Sequence, residues 1–272
     1  MTSLRPVAVI TGASAGIGAA LARVFARHGH EPVLVGRREA LLNALADELA
    51  AGAKNRPLVI TLDLTRVDTP ARIVHELGAR GLEPAFVVNN AGFGLIGRAA
   101  ELDRAEQLAM IDLHVRALTD LSLRFVDSLA RHQGGILNVA SISAFLPGPG
   151  MALYHATKAY VVTFSEALHT ELKPAGIRVT CLCPGPVPTE FHGRAGFAAD
   201  ALPRLLTHSA EWVAEQAYHG LMRNKRLVVP GLGNKIVRLA LGATPQRVVL
   251  SMTAAAMQRR HKLPPPRWPK RS

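Results

Sequence analysis

The sequence predicts an α/β fold: one doubly wound, Rossmann-type parallel sheet of about seven strands with helices on both faces, followed by a C-terminal helical extension. Three observations carry this expectation. Short β-branched apolar runs alternate with longer helix-period segments. A glycine-rich turn joins the first run to the first helix, and no repeat or linker divides residues 1–230. Right-handed crossovers between parallel neighbours then wind the chain in both directions across the sheet.

The candidate strands are VAVIT (7–11), PVLVG (32–36), PLVITL (57–62), AFVVNN (85–90), GILNVAS (135–141), IRVTCLC (177–183) and RLVVP (226–230). Amphipathic helices are expected between them over 16–29, 38–51, 67–80, 103–131 and 151–174. Residues 1–230 are thus expected to form a single domain, and 231–272 a basic helical extension. Within it, Thr244 is placed to cap, and Pro245 to open, a helix whose apolar face comprises Val248, Val249, Met252, Ala255 and Ala256. Arg247, Arg259 and Arg260 lie towards its ends, so docking on the domain, on another subunit or on an anionic membrane surface all fit. The proline run at 264–266 and the residues after it read as a disordered terminus.

Composition narrows the function. With 272 residues, 49% hydrophobic and 19% charged, the chain has ample core and is not a disordered one. Cys181 and Cys183 are too few for a disulfide framework or a zinc site, which fits a reducing compartment. The net charge of +12 is unevenly spread, because residues 1–215 hold 20 basic and 20 acidic side chains while 216–272 hold 12 basic and none acidic. A neutral body with a basic tail argues against a nucleic-acid-binding protein. The first strand begins almost at the N-terminus, leaving no room for a targeting leader, and the longest uncharged stretch, 132–157, is broken by glycines and prolines. A cytoplasmic protein is expected.

TGASAGIG, at 11–18, follows the first strand and opens the first helix. Gly12, Gly16 and Gly18 fall where the backbone turns tightly and approaches a ligand, and the helix N-terminus offers unpaired N–H groups to a phosphate. An ordinary glycine-rich turn would look the same. About 20 residues further on, an NAD site usually carries a carboxylate for the ribose 2′-hydroxyl; here Arg37 and Arg38 stand instead. They can clamp a 2′-phosphate and so favour NADP(H), or they are solvated residues of a first helical turn. Asp63 can accept a hydrogen bond from adenine or cap the following turn.

Tyr154 and Lys158 lie four apart in a helical segment and share a face. An ammonium beside a phenol lowers the phenol pKa and makes it a usable general acid or base. Ser141 ends the fifth strand, on the edge where open α/β sheets bind ligands, and its hydroxyl can bond a carbonyl oxygen.

Taken in order, TGASAGIG (11–18), NNAG (89–92), Ser141, YHATK (154–158) and PGPVPT (184–189) resemble the short-chain dehydrogenase/reductase family over residues 5–230. The resemblance implies hydride transfer between NADP(H) and a carbonyl or alcohol. It implies that Tyr154 exchanges the proton, Lys158 activates it and holds the nicotinamide ribose, and Ser141 stabilises the substrate oxygen. Asn89 would steady the central strands. Cofactor contacts are implied for Gly12, Ser14, Ala15, Gly16, Ile17, Gly18, Arg37, Arg38, Asp63, Leu64, Asn90, Ala91, Gly92, Pro184, Gly185, Val187 and Thr189. In MIDLHVRALTDL (110–121), His114 occupies the place of the family's usual Asn, which helps hold a relay water. His114 could hold that water and would titrate near neutrality, or it fills space. A homodimer or homotetramer is implied through the helices 103–131 and 151–174. Phe191, Phe197 and the C-terminal extension would wall a pocket for a hydrophobic ketone or aldehyde. A non-catalytic NADP(H)-binding sensor on the same fold is the alternative, motivated by His114.

Overall fold

Apolar side chains alternate in direction along the central strands, and this period of two builds a core on each face of the sheet. In the computed structural model, which describes residues 4–189 and 206–261, Val7 and Val9 of β1 (Arg5–Thr11) point to one face, and Ala8 and Ile10 to the other. All four are buried. β2 (Glu31–Gly36), β3 (Leu58–Thr61), β4 (Leu82–Asn89), β5 (Gly135–Val139), β6 (Arg178–Leu182) and β7 (Leu227–Val228) complete a seven-stranded, wholly parallel sheet in the order β3-β2-β1-β4-β5-β6-β7. Winding reverses between β1 and β4, which opens a crevice beyond the C-terminal ends of these two strands.

One face is covered by α1 (Gly16–Arg27), α2 (Glu39–Ala50) and α8 (Ala210–Met222), with Leu21, Phe25, Leu42 and Leu221 in the core. The other carries α3 (Thr69–Gly78), α5 (Leu118–Arg124), α6 (Val126–Arg131) and α7 (Ala152–Leu172), with Ile73, Leu121, Leu129 and Leu168 inward. β4 starts three residues earlier than expected, because Pro84 is accommodated by a register shift opposite Val7 and Ala8 instead of ending the strand.

Two departures from the sequence expectation bear on the site. The segment 103–131 is not one regular helix: α4 (Arg104–Ile111) passes into a π-helical stretch at Asp112–Ala117, and the chain breaks again at Phe125 between α5 and α6. The C-terminal extension forms two helices, α9 (Leu232–Ala243) and α10 (Gln246–His261). Thr244 does not cap α10; its hydroxyl donates to the Ala240 carbonyl. Nor is the expected apolar face the buried one. Val248, Met252, Ala255 and Ala256 are exposed, whereas Val249 is buried and Met257, two turns further on, packs against the domain. Burial at Val249 and domain contact at Met257 mark a narrower docked face than the apolar pattern suggests. Among the described residues no helix is long and apolar enough to cross a membrane. The proline-rich terminus lies outside them.

Candidate active site

The crevice beyond β1 and β4 continues along β5 and β6 as a cleft of about 500 Å³. Among the described residues, every expected catalytic and cofactor-contact residue lines it except Gly18 and His114, which stand behind its wall.

The glycine turn forms because two of its residues need a left-handed backbone: φ is +67° at Gly12 and +56° at Gly16. Gly18 answers a different demand. A Cβ there would lie 2.2 Å from the Gly12 carbonyl oxygen, so its bareness lets α1 pack onto the turn. Ala15, the N-cap of α1, offers no side-chain cap to the first N–H groups of the helix. Thr189 closes over the turn, 3.0 Å from where a Gly16 Cβ would be. The turn is stitched to β4 by Thr11, whose hydroxyl donates to the Val88 carbonyl and accepts from the Asn90 and Ala91 N–H groups. The Asn90 amide donates back to the Thr11 carbonyl. Asn89 points away into the interior, donating to Ser122 and Asn138, a buried link that does tie the central strands together.

At the β2 end, Arg38 lays Nε and one Nη on the Ser14 hydroxyl at 3.1 and 3.0 Å. Arg37 reaches Asp63 at 3.8 Å with half of its side chain exposed. Asp63 caps the following turn by accepting from both the Thr65 N–H and hydroxyl. Partial burial opposes ionisation of its carboxyl, but these hydrogen bonds with Arg37 and Arg66 outweigh it and hold the pKa below the usual range.

The other end is buried. Tyr154 and Lys158 lie one turn apart on α7 at 7% and 5% exposure, with the Lys158 Nζ donating to the Val139 carbonyl at 2.8 Å. Ser141, at the end of β5, caps a short 3₁₀ turn by accepting from the Ser143 N–H, and its side chain hydrogen bonds Tyr154. The expected lowering of the phenol pKa by Lys158 is not what this cleft does. Burial pushes Tyr154 up to about 12 against the opposing Ser141 hydrogen bond, and burial brings Lys158 down to about 8. The ammonium is turned towards the Val139 carbonyl, 5.9 Å from the centre of the phenol ring.

His114 does not titrate near neutrality. It is 1% exposed, and burial, with Lys158 nearby, drives its pKa well below the ordinary value. Its Nε2 accepts from the Phe93 N–H, so the ring proton is on Nδ1 and is donated to the Thr157 hydroxyl, which donates in turn to the Tyr154 carbonyl. The imidazole occupies the π-helical stretch and leaves no space for a side chain at Gly92, where a Cβ would lie 2.8 Å from Nε2.

The sequence reading missed Phe93, Leu113, Ile142, Ser143 and Met151, which also line the cleft. It also missed Asn234, fully buried on α9 and donating to the Leu206 and Pro230 carbonyls against Gly185. A lone Asn in an apolar and basic helix was the available signal. Met257 joins Met110, Met151, Phe93 and Tyr154 in one apolar cluster. Phe191 and Phe197 lie outside the described residues.

Comparison with known proteins agrees with this geometry. A family model described as short chain dehydrogenase matches residues 6–196. Sulfoacetaldehyde reductase 2 of Chromohalobacter salexigens is 35% identical over 78% of this chain and 87% of its own. A short-chain dehydrogenase from Sphingobium yanoikuyae in complex with NADPH superposes with a TM-score of 0.76 and 30% identity, covering 99% of this chain and 100% of that one. The bulky-bulky ketone specific alcohol dehydrogenase from Comamonas testosteroni gives 0.72 and 27%, covering 99% and 98%. With the glycine turn, the Ser141–Tyr154–Lys158 cleft and a family match over most of its length, this chain belongs to the short-chain dehydrogenase family.

Proposed function

We propose that the protein is an NADP(H)-dependent reductase of a hydrophobic ketone or aldehyde. The observation that carries this reading is the convergence of Ser141, Tyr154 and Lys158 in the same cleft as the glycine turn. The residues present fit a dinucleotide. Gly12 and Gly16 leave a bare turn below an uncapped helix N-terminus, and this cradle suits a pyrophosphate. Arg37 and Arg38, with no carboxylate at the end of β2, suit the additional phosphate of NADP(H). When bound, the cofactor supplies hydride to the carbonyl carbon.

The chain's own groups then handle the oxygen. Tyr154, protonated throughout the neutral range because burial holds its pKa near 12, keeps a proton ready for the developing alkoxide. Ser141 offers a second hydrogen bond at the same oxygen, and Lys158 places positive charge behind both. Reduction as the working direction rests on the preference for NADP(H) that Arg37 and Arg38 support. The apolar cluster around Met151, Phe93 and Met257 supports a substrate with hydrophobic substituents. The relatives' names, an aldehyde reductase and a ketone-specific dehydrogenase, support a carbonyl compound. Exposed Leu108, Leu123 and Tyr160 along α4, α5 and α7 support a homo-oligomer.

A panel of aliphatic and aromatic ketones and aldehydes, followed by NADPH absorbance with NADH in parallel, tests the proposal. We expect turnover with NADPH to exceed that with NADH and to rise with substrate hydrophobicity. Preference for NADH would overturn the role of the arginines. Absence of turnover with every carbonyl, with NADPH still bound, would turn the enzyme into a nucleotide-binding sensor.

A further inference from the structure

We propose a divalent transition-metal site of zinc type on the opposite side of the domain, formed by His28, Glu215 and His219. The three residues come from two helices that pack together. His28 is the C-cap of α1, while Glu215 and His219 are four apart on α8 and so share a face. Their ligand atoms lie within 4.8 Å of one another: Glu215 Oε2 is 3.9 Å from His28 Nε2 and 3.7 Å from His219 Nε2. A tetrahedral ion with bonds of ~2.0–2.1 Å needs its ligand atoms roughly 3.4 Å apart, so rotamer adjustment of exposed side chains closes the site without moving backbone.

The surroundings hold the ligands in place. Tyr218 is buried, its hydroxyl hydrogen bonded to His30 Nε2 at 3.0 Å, and its ring stacks on His28 at 4.1 Å between centroids. Arg27 donates to the other carboxylate oxygen, Glu215 Oε1, and this turns Oε2 towards the two imidazoles. A hydrogen-bonded carboxylate and a stacked imidazole are the outer contacts that orient metal ligands. Two imidazoles and one carboxylate, with solvent free to supply a fourth ligand, match the donor preference of Zn²⁺ and its first-row neighbours; they do not suit Ca²⁺ or Mg²⁺.

The site is far from the cleft. α1 begins at the glycine turn and runs 12 residues to Arg27, roughly 18 Å at 1.5 Å per residue. An ion here therefore clamps α1 to α8 and acts on stability, by mass action on the folded state, without taking part in the chemistry.

Titration of the EDTA-treated full chain with ZnCl₂ in a calorimeter tests the site, alongside thermal unfolding with and without Zn²⁺. We expect one equivalent bound and a higher Tm in its presence. His28→Ala and His219→Ala remove exposed side chains, so both variants fold, and each should weaken binding by at least about tenfold and abolish the Tm rise. His75→Ala, on an exposed surface of α3, should bind as the parent does. Zn²⁺ affinity unchanged in both His28 and His219 variants, or no binding by the parent below millimolar metal, would overturn the proposal.

Discussion

The two ends of the cleft handle charge in opposite ways. At the β1–β2 end, Arg37 is half exposed and loosely paired with Asp63, and Arg38 rests on a neutral hydroxyl. At the β5–β6 end, Tyr154, Lys158 and His114 are nearly inaccessible, and burial moves all three away from their charged forms. Solvated guanidiniums keep their charge and can reorganise around an incoming anion. Buried groups have their proton positions set in advance by desolvation. On the proposed function, recognition would sit where water remains, and proton handling where water is excluded.

Removing the buried cation should sharpen this contrast most. Lys158→Met is expected to lower kcat by on the order of 10²-fold or more. It should also stabilise the fold. The folded pKa of about 8 lies below that of an unfolded lysine, ~10.4, so the unfolded chain holds this proton more tightly. The penalty is therefore fully present below pH 8 and fades as pH rises towards ~10.4. Urea unfolding at pH 7 should show a gain on the order of 1–3 kcal/mol for the variant, shrinking by pH 10. Equal stability at both pH values would break the burial argument.

At the exposed end, Arg37→Ala combined with Arg38→Ala should weaken NADPH binding by about 10- to 100-fold, the range of one or two charge-assisted hydrogen bonds. NADH affinity and the fold should be nearly untouched. Fluorescence titration of both nucleotides reads this directly, and equal losses for the two would remove the 2′-phosphate from the account.

The smallest effect is expected at His114. Because its imidazole stays neutral, His114→Asn should leave the pH–rate curve between pH 6 and 8 unchanged. His114→Ala removes the acceptor of the Phe93 N–H, a loss of about 1–3 kcal/mol in stability. It should raise KM, since Phe93 lines the cleft. An inflection near neutrality that disappears in His114→Asn would restore a titrating relay.

Much of this was legible in the sequence, because it depends on local rules. Alternating β-branched runs marked all seven strands, and the positive φ at Gly12 and Gly16 is the demand that selects glycine in that turn. What the sequence hid depends on distant neighbours. The protonation of Tyr154 and Lys158 follows from burial, which four-residue spacing does not report. The π-helical stretch around His114 forms in a segment whose composition suits an ordinary α-helix. The docked face of α10 departs from its strongest apolar pattern because Met257 packs where the domain presents Met110, Met151 and Tyr154, which the helix's own sequence does not report.

Tyr154 is proposed to supply the proton in the same cleft that would seat the dinucleotide. Tyr154→Phe removes one oxygen and keeps the ring, so NADPH affinity and single-turnover carbonyl reduction should be measured on the same preparation. The account predicts a dissociation constant within about threefold of the parent. It predicts a reduction rate lower by roughly 10²- to 10⁴-fold, the usual contribution of a positioned general acid. A variant that binds NADPH and reduces the carbonyl at close to the parent rate would contradict it.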